Sequence, residues 1–362
     1  MNNFQFIKVC SESPYERGVQ YGSQAKSKII DGVVKYKKLF LETTGKSWEH
    51  LQGYIESYSK FIEKNAPDLL TEASGIANGA GVHLNEIMLL NCRYEITKFS
   101  SNAASTHECT TGALLSDTTR NNNIFMIKNW DYKPGIVENI VVIHIDECNG
   151  TQILGVAEAG QLIRDGINNH GVGIVNNNLK SIYDTELPGM PSTFLRRSIL
   201  SCNSYDNALK KSISTKRTVS VNMMLVSDED KAVDIEAYPE GCDFVKPING
   251  IITHANHFTI NPEINAKKSD DFMRDTRLRY LLGKKYKYIE LETIKTALQD
   301  HEFYPLSLCG HDEPVHEDPM KGRTTVASMI FDLTEKKLYV SKGCPCTNAY
   351  NEYSLFQSDC DV

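Results

Sequence analysis

The sequence predicts a single large α+β domain, on two observations. Apolar residues recur at helical spacing through the first hundred residues, whereas short runs rich in β-branched residues follow from Cys109 onward. No internal repeat, low-complexity tract or domain linker interrupts the 362 residues. Helices first and strands afterwards are typical of a domain in which helices cover stacked sheets, so we expect one domain with layered sheets over residues 1–362.

The N-terminal third is predicted to be helical after one short strand. A long helix is expected from Pro14 to Phe40, and Leu51 to Ile62 carries apolar residues at helical spacing. Pro67 suits the first turn of the next helix, and another is expected from Leu84 to Ile96. The segment from Ser100 to Glu108 is rich in Ser, Asn, Ala and Thr, which indicates an exposed loop.

From Cys109 onward the chain is predicted to be mainly β. The predicted strands are 124–127, 140–145, 153–157, 172–175, 219–226, 232–237 and 251–253, with a hairpin of 326–333 and 337–341. Helices are expected among them at 192–203, 269–283 and 290–300. Several polar residues stand directly after these strands, and the candidate site residues are among them.

The composition excludes several classes of protein. Hydrophobic residues make up 41% and charged residues 23% of the chain, as in an ordinary globular protein, and the formal net charge is −7. Without a basic stripe the chain is not expected to bind nucleic acid, and no apolar run approaches the about 18 residues of a membrane-spanning helix. The first ten residues lack a charged leader and a long apolar stretch, so we predict no signal peptide and expect a cytoplasmic location.

The ten cysteines are scattered and do not suggest a disulfide framework in a chain of this length. Only Cys344 and Cys346 lie close in sequence, and neither a Cys-x-x-Cys partner nor a nearby His supports a metal site there. The segment 311–318 holds residues that can ligate metals, but in an unspecific order. His254 and His257 are three apart, a spacing that points side chains to opposite faces of a strand. We therefore predict no metal site.

Cys109 is the candidate nucleophile. A thiol is the most nucleophilic common side chain, but it needs a base. If the chain is cut before Cys109, the free α-amino group, with a pKa of about 7.7–8.0, can serve as that base. Taken alone, Cys109 is better explained as an inert buried cysteine, so the argument depends on further residues.

Asp131 and Asn256 supply the other two groups. Asp131 ends the strand that leads into Asn129 and Trp130, where a carboxylate can hold the hydrogens of an amine and orient a thiol; alternatively, it caps the following turn. Asn256 follows the apolar strand 250–252, where its amide can donate to a developing oxyanion or make local turn bonds. Thiol, carboxylate and carboxamide together are the parts of a hydrolase that cuts its own chain at the nucleophile.

Two further groups of polar residues are weaker candidates. The run Asn176 to Asn178 follows a strand and holds either a second oxyanion donor or a turn. Arg17 and Arg323 each stand beside a glycine, and each could pair with a substrate carboxylate or with a structural acid. Both alternatives stay open for these residues.

Seven short stretches spread over nearly the whole chain match a known family. They are 17–22, 72–77, 108–111, 129–131, 256–257, 325–328 and 343–346. Through them the chain resembles the acyl-coenzyme A:6-aminopenicillanic acid acyltransferase (isopenicillin N acyltransferase) family, the C45 group of self-processing N-terminal-nucleophile (Ntn) hydrolases. The combination of Cys109-Thr110 with Asn129-Trp130-Asp131 is the most specific part.

The resemblance implies a fold, a maturation step and site roles. It implies a four-layer αββα sandwich, in which two antiparallel sheets are flanked by helices. It also implies autoproteolysis before Cys109, which would yield a mainly helical small subunit, 1–108, and a large subunit, 109–362. Cys109 matches the family nucleophile, Asp131 the carboxylate that supports it, and Asn256 the oxyanion-hole amide.

The remaining site residues follow from looser matches. Asn178 resembles an oxyanion asparagine of the related bile-salt and penicillin V amidases, and Asn129, Trp130 and Arg323 are candidates for substrate binding. Glu108 completes the expected cleavage site. It stands where the family often has glycine, which accepts a strained backbone at a scissile bond more easily.

The expected function is that of an Ntn hydrolase or acyltransferase that forms a thioester on Cys109 with a small amide substrate. Water or an amine then takes the acyl group, and a small N-acyl amide or N-acyl amino acid is the expected substrate. No cofactor is implied, and acyl-CoA stays open as a cosubstrate. The expected partners are the cleaved subunits and, as an open alternative, further copies of the chain.

Two rival functions stay open. One rival is a choloylglycine or penicillin V amidase-like hydrolase, and the 108 residues before the nucleophile argue against it. The other is an uncleaved, inactive binding scaffold.

Overall fold

The computed structural model describes residues 3–97, 109–266 and 272–356. The α-helices are α1 (Pro14–Gln24), α2 (Lys26–Thr44), α3 (Trp48–Asn65), α4 (Pro67–Ala80), α5 (Leu84–Asn91), α6 (Arg93–Thr97), α7 (Ser192–Leu200), α8 (Tyr205–Ser214), α9 (Phe272–Gly283) and α10 (Leu291–Leu298). The strands are β1 (Gln5–Cys10), β2 (Cys109–Leu114), β3 (Phe125–Tyr132), β4 (Ile140–Asp146), β5 (Gln152–Glu158), β6 (Asp165–Asn168), β7 (Val172–Asn178), β8 (Val221–Ser227), β9 (Lys231–Tyr238), β10 (Gly241–Val245), β11 (Ile251–His254), β12 (Thr324–Asp332), β13 (Lys337–Lys342) and β14 (Tyr350–Ser354).

The strands form two sheets. An eight-stranded sheet has the order β1-β4-β5-β6-β7-β8-β9-β10, and a six-stranded sheet has the order β11-β2-β3-β12-β13-β14. Neighbouring strands run antiparallel except β1 and β4, which are parallel. The chain between these two passes through the helical N-terminal third and the first strands of the other sheet, the long connection that a parallel pair requires.

Helices cover the outer faces of the stacked sheets. Helices α1, α7 and α8 contact the eight-stranded sheet, α9 contacts β2 and β11 of the six-stranded sheet, and β7 packs across onto β2 and β3. A second apolar cluster joins Leu278, Leu282 and Leu298 of α9 and α10 to Ile127 and Ile330 of the six-stranded sheet. The predicted α+β class and the four-layer αββα arrangement are therefore confirmed.

Most predicted helices and strands are found, with differences in detail. The helix expected over 14–40 is broken at Ala25, and that over 84–96 is broken at Cys92. Strands β6, β10 and β14 and helix α8 are absent from the sequence prediction; β6, for example, is only four residues long and begins with Asp165, too short and polar for a period-two pattern. The predicted loop 100–108 lies outside the described residues. Among those described, no helix combines the length and the apolar character needed to cross a membrane.

Helices α1 and α4 cross with their backbones in contact, which accounts for four glycines. A Cβ atom on Gly75 would lie 2.1 Å from the carbonyl oxygen of Tyr15, and Cβ atoms on Gly18, Gly22 and Gly79 would lie 2.1–2.3 Å from other carbonyl oxygens. No side chain fits at these distances, so only glycine allows the two helices to approach so closely.

A buried ionic network fixes the same helices to α7. Arg17 Nη2 lies 3.3 Å from Glu72 Oε2, and Arg197 Nη2 lies 2.9 Å from the same oxygen. The other end of the Arg197 guanidinium pairs with Glu147 at 2.7 Å. Arg17 therefore pairs with a structural acid, which is one of the two alternatives that the sequence left open.

A buried ion pair joins the two sheets beside the end of β11. His254 Nε2 lies 2.8 Å from Glu236 Oε1 and 3.8 Å from Asp234 Oδ2, both on β9. Burial opposes the charge on the imidazole, but the Asp234 and Glu236 carboxylates outweigh it and raise the pKa of His254 to about 9. The ring of His257 stacks on that of His254 with centroids 5.6 Å apart. The expectation that these histidines point to opposite faces is wrong, because His257 lies beyond the end of the strand.

Replacing Gly75 by Ala should destabilise the fold. The added methyl group would collide with the backbone of α1, and overpacking of this kind costs about 1–3 kcal/mol. Gly53 offers a matched control within α3, since nothing lies within 4 Å of its Cβ position. Gly53→Ala should therefore stabilise the protein by up to about 1 kcal/mol. Urea midpoints measure both changes, and shifts of the same sign and size would contradict the close crossing of α1 and α4.

The thermal stability should fall as the pH rises from about 6.5 to 9. A histidine whose pKa is higher in the folded chain stabilises the fold fully below its unfolded value of about 6.5. That contribution is lost as the pH passes through the folded value of about 9. Glu236→Gln keeps an acceptor oxygen but removes a charge that holds the proton, so its midpoint should depend less on pH. Exposed Glu240 provides the control Glu240→Gln, which should keep the full dependence; equal pH slopes in both variants would refute this account.

Candidate active site

Cys109 is the first residue of β2 and is 1% exposed. It lies opposite Trp130 of β3, and residues directly opposite in an antiparallel pair project to the same face. The Trp130 ring stacks on the guanidinium of Arg164, 3.8 Å from the ring centroid, beside the start of β6 in the other sheet. The Cys109 side chain therefore projects between the two sheets.

Two side chains hold the main chain of Cys109. Its N–H donates to Asn256 Oδ1 at 2.9 Å, and its carbonyl accepts from Arg274 Nη1 at 3.0 Å. Arg274 Nη2 donates to the same Asn256 oxygen at 2.8 Å. Arg274 belongs to α9 and is 1% exposed, so a buried helix residue closes a ring with Cys109 and Asn256.

Asp131 joins this ring from the outer face of the sheet. Its carboxylate is fully buried and accepts hydrogen bonds of 2.6 Å from Thr325 Oγ1 and from Arg323 Nη2. Arg274 Nη1, which bonds the Cys109 carbonyl, lies 3.6 Å from Asp131 Oδ2. Asp131 and Cys109 are thus coupled through one guanidinium, while the direct action of Asp131 on the amine or thiol stays a prediction. Arg323 pairs with this acid.

Asn256 faces Cys109 with its oxygen. Its Nδ2 donates to the carbonyl of Asn178 at 2.9 Å. An oxyanion donor would present its N–H to the reacting carbonyl instead, so that role of Asn256 stays a prediction, as does the looser one of Asn178. The structure does bring the predicted residues Cys109, Asp131, Asn178 and Asn256 together around Arg274.

Asn129 holds a neighbouring loop. Its Nδ2 donates to the carbonyls of Leu298 and Leu308, each at 2.8 Å, and its Oδ1 accepts from Ser328. Asn177 holds the two sheets together in a similar way, since its Nδ2 donates to Thr111 Oγ1 at 2.8 Å. The polar residues at these strand ends therefore also fix the scaffold around the candidate site.

Lys128 is a charged residue that sequence reasoning missed. It is completely buried, and its Nζ donates to Asp165 Oδ2 at 2.7 Å and to the carbonyl of Asn176 at 2.6 Å. Burial lowers the pKa of Lys128 to about 8, although the charges of Asp165 and Cys109 favour its protonated form. A lysine inside an apolar strand is a signal that could have identified it, because such residues are rarely buried without a partner.

Arg274 is the second missed residue, and the sequence holds no comparable signal for it. Helix α9 carries three arginines, Arg274, Arg277 and Arg279. The sequence alone does not indicate which of the three would reach a site. Arg277 pairs with Asp300 at 2.7 Å, and Arg279 donates to the carbonyl of Ile251. Only the docking of α9 on β2 and β11 selects Arg274 for the site.

A narrow cleft with an internal volume of about 10 Å³, room for about one water molecule, lies beside these residues. It is lined by Tyr94, Ser192, Arg196, residues 176–178 and residues 219–221. Arg196 Nη2 and both side-chain polar atoms of Asn176 are buried there without a hydrogen-bond partner. Burial, and next the charge of Arg164, lower the pKa of Arg196 to about 10. Buried polar atoms of this kind are rare without a partner, and either a water molecule or a small polar group of a ligand would satisfy them.

Known proteins similar to this chain share one family. The model of the acyl-coenzyme A:6-aminopenicillanic acid acyl-transferase family matches residues 118–345, which include Asp131 and Asn256. The 40 kDa form of acyl-coenzyme A:6-aminopenicillanic-acid-acyltransferase from Emericella nidulans is 27% identical over 346 residues, 93% of this chain and 92% of that protein.

One solved structure, with a TM-score above 0.5, supports the fold. A variant of the conjugated bile acid hydrolase from Clostridium perfringens has a TM-score of 0.51 at 13% identity and covers 70% of this chain and 94% of its own. Penicillin V acylase from Agrobacterium tumefaciens has a TM-score of 0.49 at 11% identity, over 69% of this chain and 87% of its own. The family match extends over more than half of the chain. The chain therefore belongs to the acyl-coenzyme A:6-aminopenicillanic acid acyl-transferase family, a family of enzymes, and has the Ntn-hydrolase fold, as the sequence resemblance implies.

Proposed function

We propose that the protein is a self-processing amide hydrolase in which Cys109 is the nucleophile. The observation that carries this proposal is the hydrogen bonding of the Cys109 main chain. Its N–H donates to Asn256, and its carbonyl accepts from Arg274. An inert core cysteine needs no buried guanidinium and carboxamide directed at its peptide groups. Membership of a family of acyltransferases supports the same chemistry.

Processing begins at the bond between Glu108, which lies outside the described residues, and Cys109. The thiol adds to the Glu108 carbonyl carbon, the C–N bond breaks, and the Cys109 nitrogen leaves as an amine that takes up a proton. Water then hydrolyses the thioester, which releases the Glu108 carboxylate and restores the thiol. Asn256 Oδ1 already accepts a hydrogen bond from this nitrogen and is suited to hold the amine that forms.

Turnover repeats the chemistry on an external amide. The freed α-amino group, with a pKa of about 7.7–8.0, takes the thiol proton, and the thiolate forms a thioester with the acyl group of the substrate. The leaving amine takes the proton, and water hydrolyses the thioester. Below about pH 8 the Lys128 ammonium nearby favours the thiolate. No cofactor is required.

An N-acyl amino acid is the substrate class that we propose. Arg196 and Asn176 offer unpartnered polar atoms to a carboxylate, and Asn178 connects the cleft to Asn256 and so to Cys109. A carboxylate on the leaving amine would pair with Arg196 while the acyl carbonyl reaches the thiol. A neutral amide would leave the guanidinium without a counter-charge, which is costly for a buried group.

Two alternatives keep the Cys109 thioester but change its source or fate. An amine could replace water as the acceptor, and acyl-CoA could load Cys109 by thioester exchange, the chemistry named for the relative from Emericella nidulans. The uncleaved binding scaffold is the alternative from another class, and the mass of the purified chain distinguishes it.

Cys109→Ala should abolish processing, because the nucleophile of the acyl shift is removed. Intact-mass measurement of the wild type should give chains 1–108 and 109–362, and the variant should give one full-length chain. Cys92→Ala is a matched control, because Cys92 is equally buried but lies between two helices, and it should be processed normally. Splitting of the Cys109→Ala chain would assign the cut to a protease, and an uncut wild type would favour the scaffold.

Arg196→Gln should lower kcat/KM for N-acyl amino acids by about 10–100-fold, the loss expected for a hydrogen bond to a charged group. The matching N-acyl amine without a carboxylate should be much less affected. Arg196→Lys keeps the charge and should retain part of the preference. Steady-state kinetics on the two substrates measure the effect. A loss of kcat/KM that is larger for the N-acyl amino acid would support the subsite, and equal losses on both substrates would mean that Arg196 is only structural.

A further inference from the structure

Four side chains converge where the loop between α10 and β12 meets the turn between β13 and β14. His301 Nε2 lies 2.9 Å from His311 Nε2, and Cys346 Sγ lies 3.4 Å from the same nitrogen. Cys309 Sγ lies 3.6 Å from Cys346 Sγ and 3.7 Å from His311 Nε2. All four ligand atoms lie within 4.8 Å of one another. We call these four residues the Cys₂His₂ cluster.

The geometry and the donor set of the cluster match one metal. With zinc–sulfur distances of about 2.3 Å and zinc–nitrogen distances of about 2.0–2.1 Å, the corners of a tetrahedron are about 3.3–3.8 Å apart. The three separations among Cys309, His311 and Cys346 lie within this range. The two histidine nitrogens are closer, at 2.9 Å, and His301 Nε2 lies within 4.8 Å of both sulfurs. Two thiolates with two imidazoles in a tetrahedron are typical of zinc.

The surroundings of the cluster are those of a structural metal site. Residues 299–323 contain neither helix nor strand, and loops of this length are uncommon in a compact domain unless something orders them. Cys344 Sγ lies 3.7 Å from Nδ1 of His311, an outer partner of the kind that orients metal-bound histidines. The sequence prediction of no metal site considered only near neighbours in the chain, whereas Cys346 joins the other three ligands from the far side of β12 and β13.

We propose that the Cys₂His₂ cluster binds one Zn²⁺ ion, which ties the loop 299–323 to the turn that precedes β14. On binding, the two thiols lose their protons to solvent and the ion takes the four ligand atoms. The site is next to the candidate active site, since Gly310 between two ligands donates to Thr325 Oγ1, which bonds Asp131. The ion is structural and has no part in the amide chemistry, so this proposal stands or falls independently of the proposed function.

Metal content of the full-length protein tests the proposal. Protein purified under reducing conditions without chelator and then given ZnCl₂ should retain about one zinc per chain after gel filtration. The double variant Cys309→Ser/Cys346→Ser should retain none. Cys242→Ser removes a half-buried thiol outside the cluster and should retain the ion. Cobalt in place of zinc should give the intense visible bands of a tetrahedral site with thiolate ligands.

A second variant guards against misfolding of the double variant. His301 is exposed, so His301→Ala should fold normally and weaken zinc binding by more than the about 10–100-fold typical of losing an outer partner. The cobalt spectrum should change in the same variant. Wild type without bound zinc after reconstitution, or zinc retained by the double variant, would overturn the proposal.

Discussion

The buried guanidinium of Arg274 is the group on which the candidate active site depends. It bonds the carbonyl of Cys109 and the side-chain oxygen of Asn256 and lies close to Asp131. A buried cation is stable only when it is paired and hydrogen-bonded. The three predicted site residues therefore lie together for a physical reason. Each of them supplies an oxygen atom that stabilises the same buried guanidinium.

Paired charges lie on both faces of β3 near Cys109. Asp131 is shared by Arg274 and Arg323, and Asp165 faces Lys128 and Arg164. In the proposed mechanism the positive groups stabilise the Cys109 thiolate, and they suit a negatively charged substrate. One electrostatic feature therefore serves both activation of the nucleophile and the substrate class proposed for the cleft.

Sequence reasoning identified the site residues that lie on strands or at strand ends. It missed the residues that reach the site only through the packing of helices and loops. Cys109 and Asp131 belong to neighbouring strands, and polar residues at strand ends are visible in the chain order. Arg274 reaches the site only because α9 docks on the sheet, and no spacing rule distinguishes it from Arg277. The same holds for the Cys₂His₂ cluster, whose members meet through loop folding. The helix breaks at Ala25 and Cys92 are local backbone events without a Gly or Pro to signal them.

The two faces of β3 carry different residues of the candidate site. Trp130 and Lys128 project between the sheets with the Cys109 thiol, whereas Asp131 and Asn129 project outward, toward α10, β12 and the loop 299–323. In the proposed mechanism a substrate in the cleft reaches the thiol from the inner side. Asp131, on the other face, is then directed at the main chain of Cys109 through Arg274 and not at the substrate. In this mechanism the outer face would hold Cys109 in position, and the inner face would select the substrate that it attacks.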